Sequence, residues 1–224
     1  MIHRDAAHEA SLVWTWSGGA VAPSTPILID AVDTAVLCQS GRVLGALGPG
    51  QYFLHPSLRL LATAGAPPWE LRVLFVRTLP CAGARFGGPK RLFLDRASGL
   101  PARTSIRGTF GFRVVDPILF VQAAVLGESA ASDDATTMDD RYVGPGLYAI
   151  AFDVVSAALL EGRSLLALSM APAELLPAIH SRCTGEWPRC GLELLGIERL
   201  VLEIDEDDRD LLGALTPSAP PGAR

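Results

Sequence analysis

The sequence predicts an α+β fold: an antiparallel-rich N-terminal meander of strands, then helices packed on one sheet face, then a closing C-terminal strand. Three observations predict it. Short runs rich in Val, Ile, Leu and Phe, such as "PILIDAVDTAVLCQ", "RVLGAL" and "LRVLFVRT", are divided by glycine and proline turns. The stretch "SIRGTFGFRVVD" alternates apolar and polar residues with a period of two. After Asp116-Pro117 the apolar period becomes helical.

The 224 residues are 49% hydrophobic and 19% charged, which excludes wholesale disorder and leaves few charges to cover the outside. The expected organisation is a flexible leader or edge strand over 1–23, one domain over 24–212 and a disordered tail over 213–224. The formal charge is −5 and Lys90 is the single lysine, so nucleic acid is not an expected partner. "MIHRDAAHEASLVWTW" lacks a basic segment followed by an apolar core, so it does not read as a secretory signal. The most apolar segment, 147–160, is broken by Asp153. As a helix of that length it reaches about 21 Å against roughly 30 Å of hydrocarbon. A cytoplasmic protein with reduced cysteines is the expectation.

Along the chain, "VWTW" reads as an edge strand that packs Trp14 and Trp16 on the body. Ser40-Gly41 makes a hairpin turn, and Gly48-Pro49-Gly50 turns again into "QYFL". Those glycines lead into a strand that ends at Pro56, without a Lys-Ser or Lys-Thr pair, so they are turn chemistry rather than a phosphate loop. "CAGARFGGPK" reads as a glycine-rich connection and "RLFLD" as a strand. In the long amphipathic stretch, Ile106, Gly108, Phe110, Phe112 and Val114 share one face, with Arg107, Thr109 and Arg113 on the other. It is expected to pair with the strands before it, the segment 71–78 among them. Asp116 caps a helix whose first turn holds Pro117. An acidic loop over 128–140 follows, then a helix over 147–160 stopped at Gly162. A third helix starts at Ser169 and Pro172 and is disturbed by Pro177. "GLELLGIERLVLEI" reads as the final strand and "DEDDRDLLGAL" as a short acidic helical end.

Catalytic patterns are hard to assemble. His180, Cys183 and Cys190 are spaced H-x2-C-x6-C without the paired knuckles of structural zinc. His55 precedes Pro56 at a strand end and reads as a turn residue. The carboxylates at 133–140 and 205–210 lack the alternation and glycine of a calcium loop. Asp153 is open to two readings: a salt bridge to Arg107 or Arg113 across the sheet, or a place on the solvent side of its helix. No cofactor, metal or catalytic residue is expected.

The order of "ILIDAVDTAVLCQSGRVLGALGPGQYFL", "LRVLFVRT", "RLFLDRASGLPARTSIRGTFGFRVVDPILFV" and "GLELLGIERLVLEI" resembles the SPFH domain of stomatin, prohibitin and flotillin (Band 7). The resemblance is in particular to its soluble bacterial virion-core-protein-like branch, over roughly residues 24–212. The resemblance implies a non-enzymatic scaffold or adaptor that forms homo-oligomers, organises partner proteins or membrane patches, and reaches the membrane, if at all, through a partner. On this reading Trp14, Trp16, Gly48, Pro49 and Gly50 are candidate interaction residues. The alternatives are a structural subunit of a larger phage-derived or secretion particle, and, further off, a small hydrolase or ligand-binding enzyme.

Overall fold

A computed structural model describes residues 1–8, 11–16, 18–125 and 143–215. The fold is α+β and its paired strands are antiparallel. The first sheet contains β1 (Val13–Trp16), β3 (Asp33–Gln39), β4 (Arg42–Leu47) and β6 (Arg72–Arg77), in the order β1-β6-β3-β4. A two-stranded sheet pairs β2 (Thr25–Ile29) with β5 (Gly50–Leu54). The strand order is therefore interleaved: the Gly48-Pro49 turn takes the chain from one sheet into another, and β6 inserts between β1 and β3.

The first sheet separates two cores. Ala35, Leu37, Val73 and Phe75 pack with Ile2, Val21, Ile27, Leu54 and Trp69 on one side. Their alternates Val36, Cys38, Leu74 and Val76 join the larger core on the other. A strand covered on both faces needs no polar alternation, which is why "LRVLFV" reads as an unbroken apolar run. The β3–β4 hairpin turns at Ser40 and Gly41 with φ of 48° and 75°, the left-handed pair that a tight hairpin turn needs.

The leader is held to the body rather than loosely tethered. The amide of Ile2 donates to Pro26 O, and Ile2 O accepts from Leu28, each at 2.8 Å, so Ile2 extends the β2–β5 sheet. Arg4 is buried and donates to the carbonyls of His8 (2.9 Å), Ser11 (2.6 Å) and Phe75 (2.8 Å). Its Nε lies 2.8 Å from Asp33 Oδ2, close in charge terms but poorly aligned for a hydrogen bond. Burial pushes the Asp33 carboxyl up and the Arg4 guanidinium down from their ordinary ranges, and the pairing opposes both shifts.

The second sheet is built on β9 (Leu100–Val114), fifteen residues long. Along one side runs β10 (Leu192–Ile204); along the other lie β7 (Cys81–Gly87) and then β8 (Arg91–Asp95). The segment at 71–78 is not among its partners: β6 lies in the first sheet and meets β9 only through the shared larger core. "CAGARFGGPK" is likewise more than a connection, because Ala84 and Phe86 face inward around exposed Arg85 and Gly83 takes φ 70° at a bulge.

Helices cover the inner face. Asp116 Oδ1 accepts from the amides of Ile118 (2.9 Å) and Leu119 (3.0 Å), capping α1 (Pro117–Phe120), which continues as a π-turn to Val125. α2 spans Gly144–Leu160 and buries Leu147, Ile150, Ala151, Val154, Val155 and Ala158. The expected third helix is divided: α3 (Leu165–Met170), a 3-10 turn (Pro172–Leu175), then α4 (Leu176–Glu186). Pro177 opens α4 instead of disturbing it, since a first-turn residue needs no amide hydrogen. α5 (Glu206–Leu215) runs past the expected domain end at 212. The acidic loop 128–140 and residues 216–224 lie outside the described residues. Among the described residues no helix is long and apolar enough to cross a membrane.

Asp95, fully buried, ties the helices to the sheet. Its Oδ1 accepts from the amide of Leu165 at 2.9 Å, and its Oδ2 from Ser98 Oγ at 2.7 Å. It therefore caps α3 from another element; Ser164, at the cap position, makes no such bond with its side chain.

Two predictions follow from these buried polar groups. Arg4→Met leaves the Asp33 carboxyl buried without its ion-pair partner and is expected to cost about 3–5 kcal/mol in urea unfolding. Burial also pushes the Cys38 thiol up to about 11 and the Cys183 thiol up to about 12, from an ordinary 9.0. Both thiols stay neutral when folded, so at pH 8 a thiol reagent is expected to spare them in the native protein and to label all four cysteines in denaturant. The sign for stability is unfavourable to alkali: the unfolded thiols ionise first, so their contribution falls as pH rises from about 9 toward the folded values.

Candidate functional site: an arginine-lined cavity on the open sheet face

With helices on the inner face of the second sheet, the outer face is left to the alternate residues of β9 and their neighbours. Arg85 on β7 and Arg199 on β10 both stand opposite Thr109, so the three form one cross-strand row. Two strand spacings separate the arginine backbones, roughly 10 Å. The next row along holds Gly87, Arg107 and Val201.

Backbone irregularities on both sides of β9 set this geometry. On β10, Glu198 is the extra residue between Ile197, opposite Phe110, and Arg199, opposite Thr109. On β7 the register shifts between Cys81 and Ala84. The Glu198 carboxylate accepts from the amide of Gly83 at 3.1 Å, joining the two bulged strands across β9. A Cβ on Gly111, beneath this crossing, would lie 3.4 Å from Cys81 O and 3.6 Å from Leu195 Cβ, ordinary packing distances. From the inner side, α2 enters against the backbone of β7: a Cβ on Gly144 would lie 2.9 Å from Arg85 O.

A shallow cavity of about 250 Å³ opens at this level, lined by Arg85, Phe86, Arg107, Gly108, Thr109, Arg199 and Val201. Gly108 is its closest point. A Cβ there would meet Arg199 O at 2.0 Å and the Phe86 ring at 2.5 Å, so β10 approaches β9 only because the side chain is missing. Arginine stems and Val201 make the walls largely apolar, while guanidinium groups supply its charge. Glu203 Oε2 lies 2.8 Å from Arg107, and Glu193 accepts from Arg113 Nε at 3.0 Å further along the face. Toward the other end, Leu92 and Leu94 on β8 point outward and are 65% and 56% exposed.

The residues expected to make contacts lie elsewhere and apart from one another. Trp14 and Trp16 are half-buried on β1. The Trp14 ring lies 5.5 Å from Phe75 and stacks on His8 at 6.2 Å, so much of its surface is spent on the smaller core. Trp16 folds over Gly18, where a Cβ would meet its ring at 2.3 Å. Gly48, Pro49 and Gly50 form an exposed turn at the end of β4, on the opposite edge of the first sheet, three strand spacings or roughly 14 Å away.

Other candidate groups disperse as well. His180 is exposed beside Thr184, whereas Cys183 is buried. No group of three or more metal-ligating side chains converges among the described residues. Asp153 faces solvent, with Arg182 3.9 Å away, on the far side of the core from Arg107 and Arg113. His55 bonds Ser57 Oγ at 2.9 Å within its turn. Of the acidic run at 205–210, Asp205 pairs with Lys90 and Asp208 accepts from the amide of Arg103 at 2.7 Å, so both fasten α5 to the sheet.

Sequence reasoning missed the Arg85–Thr109–Arg199 row. Its signal, a polar face on β9 between two strands bearing outward arginines, appears only once the bulges are placed. Compared with protein-family models and with curated proteins, the chain matches none.

Gly108→Ala forces β10 away from β9 and is expected to cost about 1–3 kcal/mol in urea unfolding. Gly146→Ala is the control, because a Cβ there meets nothing within 4 Å.

Proposed function

We propose that this protein is a non-enzymatic scaffold or adaptor of the SPFH type, which self-associates and organises partner proteins or membrane patches. The observation that carries the reading is the open outer face of the second sheet. Among the described residues, a 15-residue strand flanked by β10, β7 and β8 presents this whole face without a covering helix, and Leu92 and Leu94 stand out of it. Leu195, 47% exposed, adds apolar surface on β10. Exposed apolar groups set among Arg–Glu pairs are the composition of a contact surface, with the leucines supplying burial and the ion pairs supplying register.

The partner surface is a second copy of the chain, and further proteins gather on the assembled array. The same sheet, helix and closing-strand order that resembles SPFH domains supports this choice. A location in the cytoplasm, with access to membranes through a partner, belongs to the same reading.

Mass photometry of the purified protein tests it. Oligomers of defined mass are expected, and Leu92→Glu with Leu94→Lys is expected to shift them to monomer while leaving the thermal midpoint within about 2 °C, since both residues face solvent. A chain that stays monomeric at micromolar concentration contradicts self-association.

A further inference from the structure

Two copies that meet through the open face, as the scaffold reading requires, are offered one matching register. Charge along β10 changes sign with level: Glu203 stands opposite Ser105 of β9, and Arg199 opposite Thr109. Apolar groups are also divided between two ends. Leu92 and Leu94 on β8 lie opposite Arg103 and Pro101. Further along the same side of β9, exposed Leu79 leads into β7, and exposed Ala82 sits in the bulge between Cys81 and Ala84. We propose that this face closes a symmetric dimer, with two copies packed face to face and their strands antiparallel. Its two-fold axis lies between the sheets and crosses β9 at Arg107.

That axis carries the level of residue 105 onto that of 109, and the level of 103 onto that of 111. Arg199 then faces Glu203 of the partner subunit, and by symmetry Glu203 faces the partner's Arg199. Arg103 faces the level of the partner's Gly111, over which the Glu198 carboxylate crosses to reach the amide of Gly83. A long cation therefore meets an acid above a residue without a side chain. Arg103 and Arg199 are exposed, and among the described residues neither side chain has an ion pair. Arg107 meets its own counterpart on the axis. Glu203, 2.8 Å from the Arg107 of its own chain, offsets that repulsion while it reaches the partner's Arg199. Packed sheets stand about 10 Å apart, a gap that an arginine and a glutamate span together. Leu92 and Leu94 come to rest on the β7 end of the partner, near Ala82 and Leu79.

Other arrangements of two copies match less well. An axis along the strands would set Leu92 and Leu94 over β10 of the other copy, beside Glu203 and Asp205, and desolvate carboxylates against leucine. Edge pairing through β10 is opposed by its two bulges, which disrupt that edge as a template. The overlap is also large enough. Three strands wide and running from the level of 101 to that of 113, it covers roughly 600 Å² on each copy, near the lower end of stable interfaces.

Sedimentation velocity of the intact protein at micromolar concentration tests the register. The parent is expected to form dimers. Arg199→Glu and Glu203→Arg, each of which sets like charges together twice, are each expected to weaken the dimer about tenfold or more. An equimolar mixture of these two variants is expected to recover parent-like dimers, because every such contact in the mixed pair again joins an acid to a base. Arg42→Glu, a reversal of the same size on the first sheet's hairpin, should leave association unchanged. Thermal melting checks that each variant is folded, and Arg103→Glu, at the second contact, is expected to weaken the dimer by itself. If folded Arg199→Glu and Glu203→Arg dimerise like the parent, or if their mixture is no stronger than either alone, the register is wrong while self-association stands. A parent chain that stays monomeric overturns both.

Discussion

The strict alternation along β9 is the constraint on which the rest of the molecule depends. Ile106, Phe110, Phe112 and Val114 enter the larger core, and Arg107, Thr109 and Arg113 face out between them. Strand geometry permits no intermediate arrangement: a one-residue slip against β10 would bury the arginines and expose the phenylalanines. Register is pinned at both ends. Gly191, with φ 68°, accepts through its carbonyl from the amides of Val115 (2.9 Å) and Asp116 (3.1 Å), fixing the end of β9 beside the start of β10. At the other end the amide of Asp205 donates to Arg103 O at 3.0 Å. The helical cover, the open face and the arginine row all inherit their positions from this one strand.

The first sheet works differently, as an internal wall with apolar residues on both sides. Such a wall has no polar face to declare its register, and the buried Arg4–Asp33 pair supplies a polar landmark at its end. Arg4 reaches the carbonyl of Phe75 on β6 and the charge of Asp33 on β3, so it holds the first residues across the strands that form the wall. An ion pair this deep contributes little net stability against a hydrophobic replacement. Its value lies in positioning the leader, with Ile2 beside β2 and Val13 beside Val76.

What could be read from the chain follows the same division. β9 was legible because its period of two persists for most of its length, and Asp116-Pro117 announced the helix after it. The Ser40-Gly41 hairpin and the closing strand were legible from turn chemistry and from β-branched content. β7 was not, because Gly83 and its bulge hide a short inward-outward pattern at Ala84, Arg85 and Phe86. The leader read as loose because the signal that anchors it is a single arginine whose partners on the sheet, Asp33 and Phe75, are 29 and 71 positions away. The arginine row was the least legible feature. Arg85 and Arg199 are 114 positions apart in the sequence, and Glu198 offsets the register between them. Trp14 drew notice as a sticky aromatic, yet it spends much of its surface on the protein's own core, which is the common fate of such residues.

The reach of Asp95 has a consequence for the order of assembly. The amide of Leu165 receives its acceptor from a residue 70 positions earlier, at the end of β8. A six-residue helix has little stability alone. α3 therefore gains its first-turn anchor only when β8 has docked along β9, so this local element waits on a non-local pairing. Helices usually mature ahead of sheets; here a strand terminus sets the time at which a helix becomes stable.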